Sequence, residues 1–122
     1  MTTKIPNIVK AWSRSISERN PNKQLGFYSS DAVLLPTYDN LLVGDEEIRA
    51  YFVDFLDKQD LECVITENVT QIDIDRDSMV ASGLYTFSFL DEQNVLIEVD
   101  ARYTFVINGN KIITHHSSVE PK

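Results

Sequence analysis

Two adjacent histidines, His115 and His116, precede Ser117 and Ser118 near the C-terminus, and the chain has no others. Any imidazole chemistry therefore depends on this segment. It follows an apolar run and a glycine-containing turn at 108–110, so we predict that it forms the last strand of a sheet. Successive side chains on a strand point to opposite faces. Each face would carry one histidine and one serine, and the residues alone leave open which face borders a pocket.

Other chemical patterns are missing from the sequence. A zinc site needs about three ligands from His, Cys and carboxylates, but the two histidines diverge across a strand and Cys63 is the single cysteine. There is no HExxH or CxxC spacing, no GxSxG turn and no glycine-rich phosphate loop. The acidic run at 73–77 has the ligand type that Mg²⁺ uses, yet it is more typical of a solvated turn. We therefore expect neither a metal nor another cofactor.

The composition is that of one soluble domain. A chain of 122 residues has room for a single core, and we assign 1–122 to one domain. A net charge of -8 argues against a nucleic-acid partner. The lone Cys63 cannot form an internal disulfide, which favours a reducing compartment. Neither a secretion signal nor an apolar run of about 18 residues is present. We expect a cytoplasmic protein without a membrane partner.

The elements that must position these residues follow from hydrophobic spacing. In the N-terminal half, Ile8, Trp12 and Ile16 recur every four residues and predict a helix over 6–18. A proline at 21 predicts a short helix to residue 25, and an extended segment follows that ends at 36–37. A second amphipathic helix begins at 44–45. Its apolar stripe consists of Ile48, Tyr51, Phe52, Phe55 and Leu56.

The C-terminal half is predicted to be sheet. Four long strands are expected at 62–73, 79–90, 95–107 and 111–118, joined by short polar turns. Because short links join antiparallel neighbours, these strands would form a meander. The prediction is an α+β architecture in which the sheet curls over the N-terminal helices.

Several polar residues from different elements could converge on one pocket. Thr37 follows the first extended segment, Tyr51 lies on the second helix, Arg102 lies on the third long strand, and His115 lies with Ser117 on the last. Each has an ordinary structural role when taken singly, because a tyrosine can fill a core, a threonine can end a turn and an arginine can lie on the surface. Only their convergence would make a site.

Several segments, taken in order, resemble one family. The set resembles the group related to the association domain of calcium/calmodulin-dependent protein kinase II, within the nuclear transport factor 2-like cone fold. Within that group it is most similar to the iota-class carbonic anhydrases. The resemblance implies a curved antiparallel sheet wrapped around N-terminal helices, a deep pocket, and a homodimer or larger homo-oligomer. The matching segments are DAVLLPT at 31–37, 48–52, ASGLYTF at 81–87, ARYTF at 101–105, HHSS at 115–118 and Pro121.

The resemblance also implies which residues form the site. Pocket residues of the kinase hub match Thr37, Arg102 and Ser117, which turns His115 inward and His116 outward. The iota class uses Thr, Tyr, His and Ser at matching places, which makes the implied catalytic set Thr37, Tyr51, His115 and Ser117. The implied substrate contacts are Thr37, Tyr85, Arg102 and Ser117.

The implied activity is metal-free, reversible hydration of carbon dioxide to bicarbonate. In this hypothesis His115 acts as general base on a water, Tyr51 assists, and hydroxyls hold the bicarbonate oxygens. Two alternatives remain. One is a non-catalytic oligomerisation or small-anion-binding module of the same fold. The other is a polyketide-cyclase-like or isomerase-like enzyme, which needs an acidic residue in the pocket, for which Glu67 and Asp100 are the candidates.

Overall fold

The computed structural model describes residues 3–121, which form three α-helices and one six-stranded sheet. A single 3₁₀ turn at Ile16–Glu18 continues the first helix. The helices are α1 (Asn7–Ser15), α2 (Pro21–Leu25) and α3 (Gly44–Phe55). The strands are β1 (Tyr28–Leu35), β2 (Leu42–Val43), β3 (Gln59–Asp73), β4 (Ser78–Leu90), β5 (Leu96–Asn108) and β6 (Lys111–Val119). None of the helices within these residues is long and apolar enough to span a bilayer.

The sheet has the strand order β2-β1-β6-β5-β4-β3. Strands β3 to β6 form the antiparallel meander that the short turns predict, with bounds close to the predicted ones. Strand β1, however, pairs with β6 in parallel. The sheet is therefore mixed, which corrects the expectation of a purely antiparallel one. Parallel pairing requires a long connection, and here α3 and the meander together provide it.

The helices end and begin where local chemistry dictates. The first helical segment is regular only to Ser15, and Arg19 closes the 3₁₀ turn with a left-handed φ of 54°. Helix α2 begins with the Asn20 side chain accepting hydrogen bonds from two backbone amides, and Pro21 follows at the first helical position. Gly44, with φ of 86°, makes the sharp change of direction from β2 into α3.

The core lies between the helices and the concave face of the sheet. Trp12 of α1 stacks on Tyr85 of β4, with ring centroids 5.8 Å apart. Curvature comes partly from a bulge in β3 between residues 65 and 67. Opposite that bulge, a Cβ on Gly83 would lie 2.0 Å from the Glu67 carbonyl oxygen, so only glycine allows the strands to approach this closely.

Candidate active site

A cavity opens between α1, α3 and the concave face of the sheet. Its volume is about 220 Å³, the space of about seven water molecules at roughly 30 Å³ each. Most of the wall is apolar, and aromatic rings dominate it. The site is therefore suited to a small ligand that leaves bulk water. The apolar and aromatic part of the wall includes Trp12, Leu34, Pro36, Phe52, Phe55, Phe87, Phe89 and Val99.

Five of the six residues predicted for the site border this cavity. They come from different parts of the fold, except that β6 supplies two of them. Residues 115 and 117 both border the cavity because they share one face of that strand. Register with β5 sets that face, since His115 is opposite Phe105 and Ser117 is opposite Tyr103, both of which are buried. The five are Thr37, Tyr51, Tyr85, His115 and Ser117.

Arg102 does not join them. Its neighbours Ala101 and Tyr103 are buried, so alternation turns Arg102 to the outer face of the sheet, where it is exposed. Its Nε donates a hydrogen bond to Ser118 Oγ at 3.2 Å. The structure thereby corrects the expectation that Arg102 faces this pocket with the other substrate-contact candidates. His116 is also exposed on the outer face, as the resemblance implies.

Neither acidic candidate for the isomerase alternative borders the cavity. Glu67 and Asp100 are both exposed, and Asp100 accepts a hydrogen bond from Thr86 Oγ1 at 2.8 Å. The carboxylates that do border the cavity are Asp39 and Asp54, which are exposed and so lie at its mouth. The cavity interior thus presents hydroxyls and an imidazole rather than a buried acid.

His115 is held by hydrogen bonds at both ring nitrogens. Tyr28 Oη lies 2.8 Å from Nδ1, and Tyr85 Oη lies 3.2 Å from Nε2. On the far side, Trp12 Nε1 donates to Tyr28 Oη at 3.0 Å. Phe105 stacks on the imidazole at 4.0 Å between ring centroids. The ring orientation of His115 is therefore fixed on every side.

The same series of contacts continues to the cavity. Tyr85 Oη donates to Ser117 Oγ at 2.7 Å, and Ser117 Oγ lies 2.9 Å from Thr37 Oγ1. We call the series from Trp12 through Tyr28, His115, Tyr85 and Ser117 to Thr37 the hydrogen-bond chain. It connects a helix on one side of the core to the two small hydroxyls that border the cavity.

Burial keeps the imidazole neutral. His115 is 3% exposed, and this burial, with a smaller contribution from the adjacent His116, lowers its pKa from 6.5 to about 3. Because both ring nitrogens already have partners, His115 is not placed to take a proton directly from a water in the cavity. Its geometry instead supports the hydroxyls of Tyr85 and Ser117, which differs from the predicted role of general base.

Tyr51 of α3 borders the cavity farther from the mouth than the exposed Asp54 of the same helix. Its ring stacks on Phe55 with centroids 5.5 Å apart. Burial raises the pKa of its hydroxyl, and the charge of Asp39 adds to this effect, while no hydrogen bond from residues 3–121 contributes. The hydroxyl therefore stays protonated and is available to a ligand.

Lys58 supplies a positive charge at the mouth that the sequence reasoning missed. Its Nζ lies 5.1 Å from the ring centroid of Phe55 and 5.6 Å from that of Phe89. Lys58 lies in the short link between the end of α3 and the start of β3, outside the helical spacing from which Tyr51 was predicted. Among residues 3–121, no group of three or more His, Cys, Asp or Glu side chains is arranged to hold a metal ion.

Solved structures define the fold class. A protein of the NTF2-like family from Streptomyces avermitilis, described as a dehydratase, has a TM-score of 0.83 at 11% identity, covering 94% of this chain and 93% of that one. A protein with a ketosteroid isomerase-like fold from Catenulispora acidiphila, solved with trimethylamine, has a TM-score of 0.79 at 15% identity, covering 96% and 88%. At these identities they establish the NTF2-like fold alone.

The comparisons also identify a family within this fold. Residues 2–121 match the calcium/calmodulin-dependent protein kinase II association domain. A structure described as such a domain, from Xanthomonas campestris, is 38% identical with a TM-score of 0.86, covering 94% of this chain and 84% of that one. The chain therefore belongs to the calcium/calmodulin-dependent protein kinase II association domain family, as its motifs indicate. None of the curated proteins compared with the chain matches it.

Proposed function

We propose that this chain catalyses the reversible hydration of carbon dioxide to bicarbonate, as its resemblance to the iota-class carbonic anhydrases implies. The observation that carries the proposal is the small apolar cavity whose inner polar groups are the hydroxyls of Thr37, Ser117 and Tyr51, backed by His115. Carbon dioxide is small and apolar, and a water-poor aromatic niche concentrates such a ligand.

The attack step uses a water held by the hydroxyls of Thr37 and Tyr51. Its oxygen forms a bond to the carbon of carbon dioxide, one pair of C=O π electrons moves to an oxygen, and the water loses a proton. Because His115 has no free nitrogen, the proton leaves through waters at the mouth, where Asp39 or Asp54 accepts it and passes it to buffer.

Electrostatics stabilise the oxygen that becomes negative. A hydroxyl hydrogen of the Thr37 and Ser117 pair is donated to it, in the manner of an oxyanion hole. Lys58 adds positive potential at the mouth. A zinc enzyme lowers the pKa of its attacking water to about 7, and the proposed metal-free route does not, so we expect a slower catalyst than a zinc enzyme.

Membership of an association-domain family suggests that copies of the chain assemble. We propose a homodimer or a larger homo-oligomer, which light scattering on the purified protein measures directly. Assembly and catalysis are compatible, because the cavity lies on the concave face and leaves the outer face of the sheet uncovered by the helices.

The deciding experiment is stopped-flow carbon dioxide hydration by purified protein, with and without chelator, accompanied by elemental analysis. Activity that survives chelation in metal-free protein supports the proposal. Activity that disappears with a removed metal overturns the metal-free mechanism. A complete absence of activity, in protein shown to be folded, points instead to the anion-binding or assembly module.

A further inference from the structure

We propose that Tyr28, which lies outside the cavity wall, is a positioning residue: it fixes the tautomer of His115 and so leaves one hydroxyl hydrogen free for a ligand. The inference rests on the proposed function only for the identity of that ligand. Tyr28 is 4% exposed, and its contact with His115 joins β1 to β6. Its ring packs on the cavity residue Phe52, with centroids 5.8 Å apart, whereas its hydroxyl is connected to the cavity through the hydrogen-bond chain.

Counting hydrogens shows why one is left over. The hydrogen-bond chain contains six polar hydrogens when His115 is neutral, namely one indole N–H, one imidazole N–H and four hydroxyl hydrogens. These six serve five contacts between successive members. One hydrogen therefore has no acceptor within the chain, and its position depends on the direction of the bonds.

Both ends of the hydrogen-bond chain impose the same direction of hydrogen donation. The indole of Trp12 can only donate, so Tyr28 Oη accepts from it and gives its own hydrogen to His115 Nδ1. Tyr85 Oη gives its hydrogen to Ser117, so it must accept from His115 Nε2. Both constraints assign the hydrogen of the neutral imidazole to Nε2.

The unused hydrogen then belongs to the cavity. Ser117 Oγ accepts from Tyr85, and either Ser117 donates to Thr37 or Thr37 donates to Ser117. In both arrangements one of these two hydroxyls has a hydrogen without an acceptor in the hydrogen-bond chain. The site thus offers a donor, which fits an anionic oxygen such as that of bicarbonate and disfavours a cation.

The opposite tautomer breaks this order. A hydrogen on Nδ1 would be donated to the Tyr28 oxygen. The hydrogen of the Tyr28 hydroxyl would then have no acceptor in the hydrogen-bond chain. Because Tyr28 is buried, an unsatisfied hydroxyl there destabilises the fold. An imidazolium, which donates from both nitrogens, would displace the same hydrogen.

The first test reads the tautomer directly, without any activity. Long-range ¹H–¹⁵N NMR of ¹⁵N-labelled His116→Gln protein observes His115 as its single imidazole, because the sequence has two histidines. The substitution should leave the site intact, because His116 is exposed on the outer face. We expect a pyrrole-type Nε2 and a pyridine-type Nδ1 at pH 7. A hydrogen on Nδ1, an even mixture of tautomers or an imidazolium overturns the inference.

The second test compares two buried tyrosines. Tyr28→Phe removes one of the two constraints and lets the bond between Tyr85 and Ser117 reverse. It should therefore weaken the preference for Nε2–H and lower kcat/KM for bicarbonate about fivefold to tenfold, as expected when one hydrogen bond to an anion weakens. Tyr103→Phe is the matched control, because its buried hydroxyl bonds to Asn68 Oδ1 at 2.8 Å and not to the hydrogen-bond chain. Tyr103→Phe should keep the tautomer and change kcat/KM less than twofold.

Equal losses in the two variants overturn the positioning role of Tyr28, because they indicate a general effect on folding. If Tyr28→Phe does not fold, the tautomer of the His116→Gln protein decides the question. If that tautomer is Nε2–H and hydration is absent, the proposed function fails while the role of Tyr28 stands. If hydration is present and the tautomer is Nδ1–H, the reverse holds.

Discussion

Two pairs of identical side chains on β6 have opposite environments. His115 and Ser117 are 3% and 8% exposed and belong to the hydrogen-bond chain. His116 is exposed, and Ser118 accepts a hydrogen bond from surface Arg102. The pairs share residue types, spacing and strand, so the difference comes from the face alone. The same residue types can therefore form a site or remain on the surface, depending on the face of the strand that they occupy.

Register with β5 creates this difference. The inner pair is opposite aromatic rings, with Phe105 across from His115 and Tyr103 across from Ser117. The outer pair is opposite polar residues, Thr104 and Arg102. A shift of one residue in pairing would exchange the two faces. The comparison therefore predicts that equal substitutions on the two faces have unequal effects.

The largest expected difference is between Ser117→Ala and Ser118→Ala. Loss of a donor to a developing oxyanion typically costs about 10²–10³-fold in rate, so Ser117→Ala should lower kcat for carbon dioxide hydration by about that factor. Ser118→Ala should change it less than about twofold, because its hydroxyl bonds to Arg102 on the outer face, away from the cavity. Stopped-flow assays on both folded variants measure the ratio. Similar rates in the two would remove Ser117 from the site.

The second difference concerns stability. His115→Ala removes a buried ring that stacks on Phe105 and leaves the Tyr28 hydroxyl without its acceptor. We expect the free energy of unfolding to fall by about 3 kcal/mol. His116→Ala should change it by no more than about 0.5 kcal/mol, because the side chain is exposed. Urea denaturation measures both values, and a loss for His116→Ala equal to that for His115→Ala contradicts the assignment of faces.

Local patterns predicted much of the fold. The four-stranded meander follows from short polar turns, and α3 follows from an apolar stripe with helical spacing. Strand β2 has two residues, too few for any periodicity to show. The parallel pairing of β1 with β6 joins residues that are far apart in sequence, and no local signal reports such a contact. The mixed sheet was therefore beyond reach from the sequence.

The site was also predicted only in part, because several of its contacts join residues that are far apart in sequence. Thr37, Tyr51, His115 and Ser117 were named through motifs that resemble a family, and the alternation of β6 separated the two histidines. Arg102 was misplaced because the register of β5 against β6 cannot be read from either strand alone. Tyr28 was missed because its neighbours in sequence, Phe27 and Ser29, form no chemical motif with it, and it gains its role from contacts with distant residues.

The third difference is in pH dependence. The pKa of His115 falls from 6.5 to about 3 on folding, so the unfolded chain binds this proton more readily between those pH values. The free energy of unfolding should therefore fall as pH drops below 6.5, by about 2 kcal/mol between pH 7 and pH 5. Urea denaturation at the two pH values measures it. His115→Gln should lose that part of the slope and His116→Gln should keep it, and an unchanged slope in His115→Gln contradicts the buried neutral imidazole.

The smallest expected effect tests whether the positive charge of Lys58, at the mouth of the cavity, helps to attract an anionic substrate. Lys58→Gln removes a cation near Phe55 and Phe89 without touching the hydroxyls. We expect kcat/KM for bicarbonate to fall about twofold to threefold at low salt, because a partly exposed charge acts mainly by steering an anion. The difference should disappear near 1 M salt, where the Debye length is about 3 Å.

The control for Lys58 is Lys10→Gln, which makes the same charge change outside the cavity lining. If Lys10→Gln lowers kcat/KM equally, the effect comes from net charge, since the protein already carries -8. If only Lys58→Gln responds, and only at low salt, the mouth attracts the anion while the inner hydroxyls determine its chemistry. A loss that persists at high salt would instead mean that Lys58 contacts the substrate, which would extend the site from the inner face of β6 to the link between α3 and β3.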